Sequence, residues 1–170
     1  MNQLDLEKIV QSVVSDMKSE RKQKCVVDTS KMNLALARRI VRAVEKRAAE
    51  IGVNAVVAVA DAGGNPVAIE CMDDSYLASY DVALQKSYTV VALKMSTIEL
   101  KKLSQPGGSL YGIQFTNNGR IVIFGGGEPL KVGDKVIGGL GVSGGSEEQD
   151  TALAEYGREF FRELTLKEAN

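Results

Sequence analysis

Histidine is absent from this 170-residue chain, and so is tryptophan. The first absence excludes Ser-His and Cys-His catalytic pairs and removes imidazole as a ligand for a metal or haem. Aromatic residues are few, five Tyr and four Phe, so a base-stacking platform for single-stranded nucleic acid has little to build on. The net charge of −1 comes with no basic stripe, which leaves polyanion binding without electrostatic support. There are two cysteines, Cys25 and Cys71, and they do not form a CxxC pattern. They read as small buried thiols in a reducing compartment, not as a zinc site. No apolar run approaches the roughly 18 residues a membrane span requires, and no secretory signal is visible. A cytoplasmic protein is expected.

Glycine is plentiful. Thirteen of the seventeen glycines lie between Pro106 and Asp150. Three β-rich runs sit among them: Ile113–Thr116, Arg120–Phe124 and Lys135–Val142. Asn118-Gly119 and Gly133-Asp134 are turn signals, so the stretch predicts a β-meander. Gly125-Gly126-Gly127 and Gly138-Gly139-Leu140-Gly141 point to close approach of backbone to backbone, or of backbone to a ligand.

Residues 1–20 carry Leu6, Ile9, Val10, Val13, Val14 and Met17 at helical spacing on one stripe, which predicts an amphipathic helix suited to docking on a partner. Its polar face is not basic enough for a membrane anchor. A charged linker follows over 21–27, and a folded domain is expected over 28–170. Asp28, Thr29 and Ser30 offer N-caps for a helix that Gly52 ends. Asn54–Ala60 and Val67–Met72 predict a hairpin around Asp61-Ala62-Gly63-Gly64-Asn65-Pro66. Leu77–Met95 predicts a second helix. Thr97 caps a short third one, and Ser146-Glu147-Glu148-Gln149 opens the last with a capping box. The order of elements favours an antiparallel sheet with helices packed on it, an α+β fold.

Gly139-x-Gly141-x-x-Gly144 matches the dinucleotide fingerprint in letters alone. It lacks the βαβ unit, and acidic residues crowd the helix start where a phosphate would sit. Gly125, Gly126 and Gly127 serve either a structural contact or a ligand lying on bare backbone. Asp61, Gly63, Gly64 and Asn65 form an ordinary hairpin turn or a polar rim at a strand end. Lys86 either snorkels to solvent from an apolar helix or faces a ligand carboxylate. Asp73-Asp74 and Glu147-Glu148 are surface acid pairs, and no metal site is assigned.

Two resemblances emerge. Leu6-Glu7-Lys8-Ile9-Val10, Val13-Val14 and Ser15-Asp16-Met17-Lys18 resemble the encapsulation peptides of bacterial microcompartment enzymes. Asp61-Ala62-Gly63-Gly64, Lys86, Pro106-Gly107-Gly108, Gly125-Gly126-Gly127-x-Pro129-Leu130, Ile137-Gly138-Gly139, Gly141-Val142-Ser143-Gly144-Gly145 and Glu148-x-Asp150 together resemble the GlcG/HbpS-like family, which includes the C-terminal domain of PduO proteins. The second resemblance implies a profilin-like three-layer α/β/α sandwich with a five-stranded antiparallel sheet. It also implies homo-oligomers, and binding of haem or a corrinoid. Relatives often carry histidine directly after the Asp-Ala-Gly-Gly turn, where this chain has Asn65. A haem iron would therefore turn to Cys71, Met72 or Tyr88, or the ligand would be held by packing alone. The adenosyltransferase domain of PduO has no counterpart here. The expected function is a non-catalytic, oligomeric accessory protein inside a bacterial microcompartment. Its cofactor-like ligand would meet Asp61, Gly63, Gly64, Asn65, Lys86 and Gly125–Gly127, and Leu6, Ile9, Val10, Val13, Val14 and Met17 would dock on shell or cargo. The alternatives are an enzyme for a small aldehyde or hydroxy acid, using Asp61, Lys86 or Tyr88, and a ligand-free structural oligomer.

Overall fold

The computed structural model describes residues 28–168. The stripe of Leu6, Ile9, Val10, Val13, Val14 and Met17 lies outside the described residues. Helix α1 (Leu34–Glu50) opens on Asn33, whose Oδ1 accepts the Leu36 N–H at 3.0 Å. Asn33 takes the capping role expected of Asp28, Thr29 or Ser30, because Asp28 is engaged by the N–H and hydroxyl of Ser30. The buried side of α1 is Leu36, Ala37, Ile40, Val41, Val44 and Ala48, a stripe at helical spacing. Gly52, at φ +70°, supplies the left-handed residue after it.

Strands β1 (Val56–Asp61) and β2 (Pro66–Cys71) form the expected hairpin. Helices α2 (Ser79–Leu93) and α3 (Thr97–Leu103) follow. Ser96 and Glu99 make a full capping box at the start of α3, one residue earlier than the cap expected at Thr97. Strands β3 (Gly127–Val132) and β4 (Lys135–Ser143) form a second hairpin, and α4 (Glu147–Glu168) closes the domain. Ser146 and Gln149 exchange the two bonds of the expected capping box at its start.

All strand pairs are antiparallel, in the order β2-β1-β4-β3. The α+β class stands, but the five-stranded profilin-like sandwich does not: among the described residues the sheet has four strands. Ile113–Phe115 and Asn117–Gly119 are tight helical turns, and Arg120–Phe124 is irregular. The physical reason is local. Gly112, Asn117, Asn118 and Gly119 all take positive φ, which winds the chain instead of extending it. The Val122 N–H then donates to Thr89 Oγ1 on α2, not to a neighbouring strand. The fourth strand starts at Gly127 instead. Pro129 is tolerated there because β3 is an edge.

Helices cover both faces of the sheet. On one side α1 and α4 enclose the main core, where Ile40, Val44, Val57, Val59, Leu140, Leu153 and Phe161 meet. On the other side α2 lies on β1 and β4, with Ala83 against Val56 and Ala58. A Cβ on Gly139 would fall 2.2 Å from Ser87 O, and one on Gly141 would fall 2.0 Å from Ala83 O. The glycines of β4 therefore let the backbone of α2 rest directly on the backbone of the strand. Among the described residues, no helix is long and apolar enough to cross a membrane.

Candidate functional site

The residues singled out in the sequence separate into two centres, one built on Lys86 and the other on Tyr88 of α2. Asp61 pairs with Gly138 on β4, whereas the buried centre forms beside Val142. Four residues of strand separate those positions, about 13 Å at the usual rise.

The first centre is the β1–β2 turn. Asp61 Oδ1 accepts the backbone N–H groups of Gly63 at 2.8 Å and Asn65 at 2.9 Å, and Asn65 Nδ2 adds bonds to both carboxylate oxygens at 3.2 Å. Burial pushes the Asp61 carboxyl up, but these N–H donors outweigh it and hold it below the ordinary range. Gly64, at φ +76°, packs on Tyr88; a Cβ there would sit 2.9 Å from Tyr88 Cδ2. The Arg120 guanidinium stacks on the other part of this surface, 3.6 Å from the centroid of the Tyr88 ring. Arg120 Nε donates to Gln85 Oε1 at 3.2 Å, and Asn117 Nδ2 donates to Tyr88 Oη at 3.3 Å. The result is a flat aromatic surface with a cation laid on it, beside the exposed Gly63 and Asn65.

The second centre is buried. Lys86 has no exposed surface and does not snorkel. Its Nζ donates to Val142 O at 2.7 Å and to Asp150 Oδ2 at 2.9 Å, and faces the Phe124 ring at 4.9 Å. Burial pulls the ammonium pKa down, against the opposing pull of Asp150. Gly126 lies against it, where a Cβ would come within 2.7 Å of Nζ. Two amides of the glycine run are already bonded: Gly125 N–H donates to Glu147 Oε1 at 2.8 Å and Gly127 N–H to Thr97 Oγ1 at 2.9 Å. Glu147 also pairs with Lys101. Gly125–Gly127 thus join α2, α3 and α4 at close quarters.

The ligand candidates for iron also part company. Met72 Sδ accepts the Ala55 N–H at 3.3 Å. Cys71 is exposed, not the buried thiol expected, and it ends β2 six residues from Asn65, about 20 Å away by strand rise. Only Tyr88 lies at the turn. No group of three or more acidic or cysteine side chains is arranged for a metal ion among the described residues.

A cleft of about 510 Å³ lies elsewhere, between β3 and α4. Its charges answer one another: Arg158 Nη1 reaches the buried Glu128 at 2.7 Å, and Glu159 binds both Arg158 and Arg162. Arg120 and Asp150 were not singled out for the site, although the sequence holds a hint for the second. A lysine inside an apolar helix needs a buried acid, and the first turn of the last helix supplies one.

The family described as haem degrading protein HbpS-like matches residues 32–159. This chain belongs to that family. The HbpS-like domain is 49% identical over 133 residues to an uncharacterized 15.0 kDa protein in the dhaT-dhaS intergenic region of Citrobacter freundii, covering 78% of this chain and 94% of that protein. It is 42% identical to the corrinoid adenosyltransferase PduO of the same organism, covering 69% of this chain but 35% of PduO. The chain therefore spans about a third of PduO. Among solved structures, the PduOC:heme complex matches with a TM-score of 0.73 and 38% identity, over 76% of this chain and 94% of that one.

Proposed function

We propose that this HbpS-like protein is a non-catalytic, oligomeric accessory protein of a bacterial microcompartment that holds a planar tetrapyrrole of the haem or corrinoid class. The observation that carries the ligand reading is the stack of Arg120 on Tyr88 beside the Asp61–Asn65 turn. Tyr88 carries the Arg120 guanidinium that the macrocycle would meet. Arg120 offers charge to a peripheral carboxylate, a contact worth about 1.5–3 kcal/mol. Gly63, Gly64 and Asn65 form the rim, and Asp61 fixes its shape. Lys86 and Gly125–Gly127 act from beneath, holding α2 and hence Tyr88 in place. The likeness to a haem complex and to part of a corrinoid enzyme supports the ligand class.

Residues 1–20 would dock on a shell or cargo protein through Leu6, Ile9, Val10, Val13, Val14 and Met17, with 21–27 as a tether. Titration of the purified protein with haem, and in parallel with a corrinoid, tests the ligand. A saturable shift of the haem or corrinoid absorbance that Tyr88→Leu weakens is expected; silence from both sinks it. Deleting residues 1–20 is expected to leave the domain folded and to abolish co-purification with microcompartments. Unchanged encapsulation would end the targeting idea.

A further inference from the structure

The carboxylates and both arginines that line the cleft between β3 and α4 have partners within the domain. Glu128 pairs with Arg158, Glu159 pairs with Arg158 and Arg162, and Glu99 is engaged in the cap of α3. A cleft so matched has little left with which to hold an ionic ligand. Its open surface is apolar. Pro129 and Phe161 line it, and so do Val132 and Leu166, which are 38% and 54% exposed. The cleft also runs along β3, an edge of the sheet among the described residues. Proteins commonly blunt such an edge by laying a helix or loop over it.

We infer that the occupant of this cleft is the N-terminal stripe of the same chain: residues 6–17 lie along β3 as an amphipathic helix, with Leu6, Ile9, Val10, Val13, Val14 and Met17 turned inward. The point where the chain enters the domain supports this. Ser30, Lys31 and Met32 line a hollow with Lys135 and Ile137, and Met32 packs on Gly138. Lys135 pairs with Val132 across the β3–β4 turn, so the chain enters beside the turn at which the cleft begins. The lengths agree as well. Leu6 to Met17 spans about 17 Å of helix. Glu128 to Gly133, the stretch of β3 and its turn that lines the cleft, also spans about 17 Å. Residues 21–27 reach about 23 Å when extended, enough to turn the helix back onto the domain. This entry sets the direction: Met17 comes to Val132, and Leu6 to the far end, where Thr97 holds Gly127. Lys8, Gln11, Ser15 and Lys18, on the opposite side of the helix, stay in water. The stripe proposed to meet shell or cargo is then covered in the free protein, and such a partner must displace it from the cleft.

The inference rests on the same stripe as that proposed docking, but it is read without shell, cargo or tetrapyrrole. Its test is amide hydrogen exchange, followed by mass spectrometry, on the purified full chain. An isolated helix of this length is marginal in water, so protection over 6–17 requires a surface beneath it. Exchange there is expected to be slowed about tenfold or more against the free-chain rate, and equally so at every protein concentration. Val132→Asp puts a charge into the cleft and is expected to return 6–17 to the free-chain rate. Exchange of β1 and β4 in the same spectra checks that the fold holds. Val13→Asp should have the same effect from the other side of the contact, and it lies outside the domain whose folding it could disturb. Free-chain exchange in the wild type would overturn the inference. Protection that survives Val132→Asp would also overturn it, because the segment would then be docked elsewhere. So would protection that fades on dilution, because the occupant would then be the segment of a second copy. Co-purification with microcompartments is read separately, so failure of the cleft docking and failure of the targeting reading are distinguishable.

Discussion

Lys86 Nζ lies 2.9 Å from Asp150 Oδ2, with the lysine side chain fully out of solvent and the aspartate nearly so. The two partners are not equally dependent on each other. Asp150 sits in the first turn of α4 and also accepts the Gly145 N–H at 2.9 Å, so the helix start serves it if the lysine is lost. Lys86 would keep Val142 O, the Phe124 ring and the more distant charge of Glu147. Asp150→Ala should therefore cost about 3–5 kcal/mol, the usual range for stranding a buried charge. Lys86→Met should cost clearly less. Urea unfolding at neutral pH measures both, and an inverted order would show that the aspartate is the dependent member.

The glycine floor makes a sharper prediction. At Gly141 an added methyl would meet Ala83 O at 2.0 Å and Ser87 N at 2.7 Å, and both are backbone atoms that cannot turn aside. Gly141→Ala should destabilise the domain by about 3 kcal/mol or more through displacement of α2. Gly133→Ala is the control: φ is +57° but nothing lies within 4 Å, so it should cost only about 1 kcal/mol. Equal losses would mean that contact with α2 is not the cause.

Two carboxylates pull stability in opposite directions with pH. Glu147 is held below its ordinary value of 4.5 by the Gly125 N–H and then by Lys101. Its contribution is complete above that value and is lost as pH falls through the lowered folded pKa. Glu128 is pushed above 4.5 by burial, against the pull of Arg158. Between 4.5 and its raised value the folded state binds the extra proton, so this group's contribution declines as pH rises. Unfolding midpoints on the acid side should show Glu147→Gln flattening the loss on acidification. Glu128→Gln should instead remove a loss on the rising side. A shared sign for the two variants would contradict the assignment.

Arg120→Gln should reduce tetrapyrrole affinity about tenfold or more, while Lys86 keeps its bonds and the fold its stability. Absorbance titration of both proteins reads this. Unchanged affinity would move the ligand away from Tyr88.

Much of this fold was legible because its signals are local. The stripe in α1, the turn after Asp61 and the Ser146–Gln149 box each act within a few residues. The run from Ile113 to Phe124 misled because its β-branched residues suggest strands, whereas left-handed Asn117 and Asn118 wind the chain. Strand β3 was hidden by Gly127 and Pro129, which read as loop until the edge position explains them. In the site, Gly64 and Asn65 were visible as a turn, and Tyr88 as one of several candidates. The partner of Lys86 stands 64 residues away, and that of Tyr88 on an irregular segment, so no spacing rule connects them.

A helix seated on bare backbone has no cushion of side chains beneath it. No rotamer change can absorb a displacement of α2 over Gly139 and Gly141, because the atoms in contact are Ser87 O and Ala83 O. Tyr88 and Lys86 stand two residues apart on that helix, so a displacement at Tyr88 would be felt at the Lys86–Asp150 pair and, through it, at the first turn of α4.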